Sequence, residues 1–288
     1  MPQTINTNLA SLNAQRALDG SQGSLKTSMA RLASGLRVNS AKDDAAGLAI
    51  AERMNAQIRG MNVAIRNAND GISYAQVAEG ALSKMGDSLQ RMRELAIQAR
   101  NASNTERDQD SLQNEFKELQ TEIDRVLNGT TFNGSTIFNA TGSLEFQVGA
   151  GTTGNDRVSI VLGNTALTAD ASLTSVTTTT AIIGDLGTTT AVAGSAIDAV
   201  IGSIDAALDK INSQRSVWGA TQNRFDAVIS NLQVSVENQA AARSRIMDAD
   251  FAAETANLSR AQILQQAGNA MVAQANALPQ QVLQLLRG

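Results

Sequence analysis

Apolar side chains recur at alternating steps of four and three residues through the last third of the chain. Fifteen positions from Ile197 to Ile246 follow this spacing, and eleven of them are apolar. So long a repeat, with a mean period of about 3.5 residues, is typical of coiled-coil packing and predicts one long helix. An ordinary amphipathic helix would end after about 11 or 12 residues. The positions are Ile197, Ile201, Ile204, Leu208, Ile211, Arg215, Trp218, Gln222, Phe225, Ile229, Leu232, Val236, Gln239, Arg243 and Ile246.

Three more helices are predicted in the first half of the chain. The first ends near Gly35 and the polar stretch 39–43, where Ser40 and Asp43 have the spacing of a capping box that opens the second helix. A polar break at 101–104 separates the second helix from the third. Their apolar positions are Ile5, Leu9, Leu12, Leu25, Met29, Leu32 and Leu36; then Ile50, Met54, Ile58, Met61, Ile65, Ala68, Ile72, Leu82, Met85, Leu89, Met92 and Ala96; then Leu112, Phe116, Leu119, Ile123 and Val126.

The C-terminal stretch 261–286 contains no charged side chain. Its length would suit a bilayer-spanning helix, but its nine Asn and Gln residues would carry unpaired polar groups into hydrocarbon. We predict a helix with one apolar stripe that needs partner helices, although a frayed tail remains the alternative. Pro279 should kink this helix or fall near a break. The stripe comprises Leu264, Met271, Ala275, Leu278, Val282 and Leu285.

The middle of the chain has a different pattern. Apolar positions alternate around Phe146 and again around Ile160, which predicts two strands paired across the loop 149–156. From Gly163 to Gly194 the sequence is rich in Thr, Ala and Gly, and we expect a small β element or an exposed loop there. The strand positions are Leu144, Phe146 and Val148, and Val158, Ile160 and Leu162.

The predicted fold is mainly α, with long antiparallel helices from both chain ends in coiled-coil or bundle packing and a small middle insertion that contains a β-hairpin. We expect three domains. Residues 1–40 with 247–288 would form a terminal helical domain, and 41–142 with 196–246 a long helical bundle. Residues 143–195 would form a small surface segment rich in Thr and Gly.

Composition argues against catalysis. The chain has no His and no Cys, so the usual general base, the commonest metal ligand and thiolate chemistry are all missing. The adjacent Asp43 and Asp44 fit the first turn of a helix better than acid–base work. We therefore expect no catalytic residue, metal or cofactor. The net charge of −4 gives no reason to expect nucleic acid or membrane insertion.

Both ends of the chain resemble bacterial flagellin. The resemblance is carried by INTNLASLNAQRAL (5–18), RLASGLRVNSAKDDAAGLAIAERM (31–54) and ARSRIMDADFAAETANLSRAQILQQAGNAMVAQANALPQQVLQLLR (242–287), and SLEFQVGAGTTGNDRVSI resembles the family's first hairpin. The sequence does not start with a cleavable secretory signal, so a dedicated export machine is expected.

The resemblance implies an extracellular homopolymer, the flagellar filament used for swimming. Implied partners are other copies of the chain, the flagellar export apparatus with its chaperone, and the filament cap and hook-junction proteins. A hook–filament junction protein or a secreted coiled-coil adhesin or translocator remain alternatives. The side chains expected to make inter-subunit contacts are Ile5, Leu9, Leu12, Leu264, Met271, Leu278, Val282, Leu285 and Leu286.

The resemblance also implies recognition of the monomer by a Toll-like innate immune receptor. The positions that match the family's receptor patch are Arg91, Leu95, Glu115 and Arg224. The alternative is that these side chains are solvated or buried between subunits.

Overall fold

The chain is mainly helical, as predicted. A computed structural model describes residues 7–139, 141–163, 166–178, 181–184 and 192–287, with the side chains of all these except 161–163 and 278–287. The helices are α1 (Leu9–Ser34), α2 (Ala45–Ala99), α3 (Glu106–Gly129), α4 (Ala171–Thr177), α5 (Gly194–Met247) and α6 (Phe251–Arg287). The strands are β1 (Thr131–Phe132), β2 (Ser135–Thr136), β3 (Gly142–Gln147) and β4 (Arg157–Gly163).

The chain divides into two compact units. The first comprises the described parts of Met1–Ile58 and Glu237–Gly288, and the second comprises those of Arg59–Val236. Both boundaries fall inside long helices, α2 and α5. The three-domain division expected from the sequence stays a prediction.

In the second unit, α2 and α5 pack against each other in antiparallel fashion. Arg93 Nε donates to Asp205 Oδ1 at 2.6 Å, and Arg100 Nε donates to Asp198 Oδ1 at 2.8 Å. The two pairs lie one heptad apart on each helix and in opposite chain directions, which fixes the register. The predicted seam of α5 is confirmed, since every one of its positions is buried or half-buried. The heptad series is fully buried from Ile197 through Ile204, Ile211 and Trp218 to Phe225, and half-buried beyond it.

Between residues 64 and 85 the facing seam of α2 contains small residues, and of these the apolar pattern singled out only Ala68. Gly71 lies directly under the ring of Phe225, and a Cβ atom built on Gly71 would sit 2.6 Å from Phe225 Cζ. The small residues therefore leave room for the large rings of α5. The buried positions from 64 to 85 are Ala64, Ala68, Gly71, Tyr74, Ala75, Ala78, Leu82 and Met85.

The two β-hairpins dock on α2 and α5 through aromatic rings. Tyr74 of α2 makes edge-on contact with Phe132 and Phe146, at centroid distances of 5.3 and 6.1 Å. Phe146 meets Phe225 at 5.4 Å, and Tyr74 lies 5.7 Å from Trp218. The predicted pairing of the two longer strands is confirmed: β3 and β4 are antiparallel, with Phe146 opposite Val158.

Three buried glutamines on α3 hold the Thr-rich segment by its backbone. Gln113 Oε1 accepts from the amides of Ile183 and Gly184 at 2.8 and 3.2 Å. Gln120 Nε2 donates to three carbonyl oxygens, the closest being that of Val176 at 2.7 Å. Gln109 Oε1 accepts from the amide of Val192 at 3.0 Å.

The expectation for residues 163–194 was therefore wrong in its described parts. They contain the helix α4, whose Leu173 and Val176 are fully buried, and Ile183 is buried as well. Leu173, Val176 and Ile183 are too few, among many threonines, to give a periodic apolar pattern in the sequence. The α3 residues that hold this segment are distant in the sequence.

The capping box predicted at Ser40 is displaced. Asp43 accepts from the hydroxyl and the amide of Ser40 at 3.0 and 2.9 Å and closes a turn that precedes the helix. Those hydrogen bonds lower the pKa of the Asp43 carboxyl. The start of α2 at Ala45 is capped by Asp44, whose Oδ1 accepts from the amide of Gly47 at 2.8 Å.

Candidate assembly surface of the terminal helices

The terminal helices α1 and α6 pack together along a seam of small and polar residues. From Glu254 to Ala275 the buried and half-buried positions of α6 follow alternating steps of four and three, which is the spacing of coiled-coil packing. A Cβ atom on Gly268 would lie 3.1 Å from Leu18 Cδ1, so glycine allows a close approach of the two helices there. The α6 positions are Glu254, Leu258, Ala261, Gln265, Gly268, Val272 and Ala275.

Polar side chains fix the register at one end of this pair. Asn8 caps α1 by accepting from the amide of Ser11 at 3.1 Å, and its Nδ2 donates to the carbonyl of Ala275 at 2.7 Å. Ser11 Oγ donates to Asn276 Oδ1 at 2.7 Å. Asn8 therefore caps the start of α1 and also binds α6. The pairing is antiparallel, because Leu18, later in α1, contacts Gly268, earlier in α6.

Near the other end, Arg31 and Glu254 form a loose ion pair, with Arg31 Nη1 3.9 Å from Glu254 Oε2. Arg31 Nε is buried and has no hydrogen-bond partner among the described residues. Beyond this pair, the segment that follows α1 and the segment that precedes α6 are joined by a backbone hydrogen bond. The amide of Arg37 donates to the carbonyl of Met247 at 2.6 Å. Val38, Ala51 and Met247 form a small core around it.

Large apolar side chains on both terminal helices point away from this seam. Leu9 is 62% exposed, Leu264 53% and Met271 62%, and Leu12 is exposed as well. The sequence placed Leu264 and Met271 on the helix face that needs partners. In the structure they lie next to the seam that faces α1, but they do not belong to it. Exposed apolar residues that sequence analysis did not assign to assembly are Met29, Phe251 and Ile263.

Other predicted assembly residues fall outside what can be described. Ile5 lies outside the described residues, and so do the side chains of Leu278, Val282, Leu285 and Leu286. The backbone of α6 is helical through Pro279 and ends at Arg287, so of the two expected effects of Pro279 the break does not occur, and the kink stays a prediction. The predicted inter-subunit role of these five residues stays a prediction, as does that of the exposed Leu9, Leu12, Leu264 and Met271.

A groove runs along one side of the α1–α6 pair, with a volume of about 1130 Å³. We call it the assembly groove. On the α1 side it is lined mainly by small residues, Ala14, Ala17 and Gly20 among them. On the α6 side it is lined by Leu264, Ala267, Gly268 and Met271, with the charged Arg31, Glu254 and Arg260 also lining it.

The positions that resemble a receptor patch lie in the second unit. Arg91 Nε donates to Glu115 Oε1 at 2.8 Å, and Arg91 Nη1 donates to Glu94 Oε2 at 2.9 Å. The hydrogen bonds that Arg91 donates to Glu115 and, more weakly, to Glu94 raise the pKa of Arg91. Arg224 is exposed, but Leu95 is only 1% exposed and belongs to the core. The structure therefore presents the charged members of the patch on the surface and not its leucine.

Asp43 and Asp44 both serve the start of α2, one in the turn that precedes it and the other as its cap. Across the described residues, no group of three or more carboxylate, His or Cys side chains is placed to hold a metal ion. Among the described helices, none combines the length and the apolar content that crossing a membrane requires.

These features define a class of protein: a long-helix subunit whose terminal helices carry apolar surface that its own chain does not cover. The chain belongs to the bacterial flagellin family. Residues 5–143 match the family described as the bacterial flagellin N-terminal helical region, and residues 201–286 match the bacterial flagellin C-terminal helical region.

Two curated flagellin sequences match the chain over nearly its full length. The chain is 45% identical to the flagellin of Halalkalibacterium halodurans, across 98% of this chain and 99% of that one. It is 42% identical to the flagellin of Bacillus subtilis, with the same coverage. The crystal structure of Bacillus cereus flagellin aligns with a TM-score of 0.47 and 28% identity, over 62% of this chain and 94% of that one.

Proposed function

We propose that this chain is the repeating subunit of an extracellular flagellar filament and that it polymerises by burying the uncovered faces of α1 and α6 against other copies. The observation that carries the proposal is the set of large apolar side chains left exposed on the terminal helix pair, in a chain that belongs to the flagellin family. Uncovered apolar surface of this kind marks interaction sites.

Burial of that surface supplies the driving force. Moving a side chain such as Leu264 from half exposure to full burial is worth roughly 1 kcal/mol, and several such residues act in each contact. The uncharged stretch 261–286 suits this role, because a charge enclosed without a partner costs several kcal/mol or more. Its amides can form hydrogen bonds between neighbouring chains instead.

A helix of a second copy is the proposed occupant of the assembly groove. The small residues of α1 let another helix approach closely, and Leu264 and Met271 supply the apolar wall. The unpartnered Arg31 Nε offers a donor that an acceptor from the neighbouring copy would satisfy. Both arguments favour a helix with small, uncharged and amide side chains, which is the composition of the stretch 261–286 of α6.

Membership of the family also supports the remaining proposed partners. The chain would leave the cell through the flagellar export apparatus with the help of an export chaperone, and it would meet the filament cap and hook-junction proteins at the ends of the polymer. We further propose that no catalysis takes place on it, in line with the absence of His and Cys.

Receptor recognition of the monomer is a second proposed activity, supported by the exposed Arg91, Glu115 and Arg224. Purified monomer should activate cells that report on the flagellin-sensing Toll-like receptor at nanomolar dose, and Arg91→Glu should weaken the response. No response to folded monomer at that dose would contradict the proposed receptor recognition.

Seeded growth tests the assembly proposal. Monomer added to short filament seeds should elongate them into long filaments seen by electron microscopy. Leu264→Asp should slow elongation at least about tenfold, because it buries an unpaired carboxylate in the contact. Leu264→Met, which keeps an apolar side chain of similar volume, should elongate nearly as fast as the parent.

Growth limited to a single short layer on each seed would instead favour a hook–filament junction protein. Equal elongation by Leu264→Asp and Leu264→Met would remove Leu264 from the interface.

A further inference from the structure

The described methionines of the chain fall into two groups by exposure. Met61, Met85, Met92 and Met247 are buried, and Met54 is half-buried. Met29 is 57% exposed and Met271 is as open to solvent. Among the described methionines, only these two present their sulfur-bearing side chains broadly to solvent.

Both exposed methionines lie on the terminal helix pair, Met29 on α1 and Met271 on α6. All methionines of the second unit are buried in its core. A small oxidant in solution would therefore modify the helices that polymerise before it reached the rest of the molecule, because oxidation follows exposure.

The neighbours of Met271 make its modification consequential. It lines the assembly groove together with Leu264 and Ala267. The contacts between Leu18 and Gly268 and between Ser11 and Asn276 set the register on either side of it, and they place the small residue Ala14 across from it. The wall of the groove at this point is apolar.

We propose that Met29 and Met271 are oxidation sites that make subunit addition sensitive to peroxides; this rests on the proposed filament function. In the reaction, the thioether sulfur attacks one oxygen of hydrogen peroxide and the O–O bond breaks. The sulfur is oxidised to a sulfoxide, and the other oxygen is reduced and leaves as water after proton transfer. Methionine sulfoxide reductases reverse the change.

The sulfoxide weakens the contact between subunits for a physical reason. It replaces a flexible apolar side chain with a strongly polar one, and burial of a polar group without a partner costs enough to slow addition at least about tenfold. The buried methionines stay reduced at the same peroxide dose, so the fold of the second unit is unchanged.

The experiment compares four full-length chains: the parent, Met29→Leu, Met271→Leu and the double variant. Each monomer is treated with hydrogen peroxide, the peroxide is removed with catalase, and peptide mass spectrometry locates the added oxygen. Elongation of untreated parent seeds is then measured, and circular dichroism confirms that the helical content is retained.

Treated parent should elongate at least about tenfold more slowly than untreated parent, and the treated double variant should elongate like its untreated form. Incubation of the treated parent with methionine sulfoxide reductases A and B should restore elongation, which keeps the test decisive even if the double variant assembles poorly. Assembled filaments should take up less oxygen at Met271 than monomers do.

Unchanged elongation of a parent that carries sulfoxide at both positions would overturn the proposal, and so would equal oxidation of Met271 in filaments and monomers. Failure of the untreated parent to elongate seeds would instead contradict the proposed filament function itself.

Discussion

At the scale of single residues, the fit between large and small side chains across the α2–α5 seam decides the stability of the second unit. Phe225 is fully buried, and Gly71 is the residue that leaves room for its ring. Close packing of this kind tolerates little added volume.

Gly71→Ala should therefore destabilise the protein by about 1 to 3 kcal/mol in urea unfolding, because the new methyl group overlaps the Phe225 ring. Gly80→Ala is the matched control: it lies in the same helix with no atom within 4 Å of the place its methyl group would take, and it should stabilise by about 0.5 to 1 kcal/mol. Similar effects of the two changes would show that the seam is looser than the contact between Gly71 and Phe225 implies.

The glutamines of α3 give a second prediction at this scale. Gln113→Met keeps a side chain of similar length but leaves the buried amides of Ile183 and Gly184 without their acceptor. The cost should be about 1 to 3 kcal/mol per amide, with faster hydrogen exchange at these two amides. Asn114→Met, an exposed position on the same helix, should change the free energy of unfolding by less than about 0.5 kcal/mol.

These residues also mark where the sequence stops being informative. Apolar periodicity passes over Gln109, Gln113 and Gln120, although their spacing of four and seven puts them on one helix face. Their hydrogen-bond partners in the Thr-rich segment lie 56 to 83 residues away, and only the folded chain brings them together. Gly71 was missed for a related reason, since a small residue in a seam has no apolar side chain to detect.

At the scale of elements, the long helices were predictable because a repeat sustained over many turns is a strong signal. The helix boundaries were less predictable. The sequence predicted Ser40 and Asp43 as the cap of α2, but α2 starts at Ala45 with Asp44 as its cap, and the Ser40–Asp43 pair closes the preceding turn. The sequence predicted that α1 and α6 pack together, but not which residues form the seam. The seam uses Ala261, Gly268 and Ala275, and the large apolar residues beside them are left for other contacts.

Hydrogen-bonded carboxylates, in helix caps and in ion pairs between elements, predict how the second unit responds to acid. The hydrogen bond from Arg100 lowers the pKa of Asp198, and the backbone of Thr105 lowers that of Asp108. Burial alone would raise the pKa of Asp170, but hydrogen bonds from Lys210 and Ser172 outweigh it and the pKa is lowered.

Each lowered pKa means that ionisation favours the folded state. The stability contributed is present above the unfolded pKa of about 3.9 and is lost as the pH falls through the lower folded values. The urea midpoint should be equal at about pH 6 and pH 8, since the chain has no His, and lower at about pH 3 than at about pH 5.

Asp170→Asn should reduce the acid-dependent part of this change. A midpoint that rises on acidification, or that steps between about pH 6 and pH 8, would contradict the assignment of these carboxylates.

At the scale of the whole molecule, assembly depends on apolar surface of the terminal helices that the single chain leaves uncovered. Sequence alone indicated that both terminal helices need partners, because each carries an apolar stripe and the stretch 261–286 has no charged side chain. It could not show which apolar residues face the other terminal helix and which face outward, since that depends on the register set by Asn8, Ser11 and Gly268.

The most direct measurement is seeded elongation by a chain that ends at Asn276 and so lacks the last helical turns of α6. The account predicts that it binds no new layers and leaves seeds at their starting length in electron micrographs. Its urea unfolding should still show the transition of the second unit, which lies wholly within Arg59–Val236. Normal filament growth by this truncated chain would contradict the claim that burial of the terminal helices drives assembly.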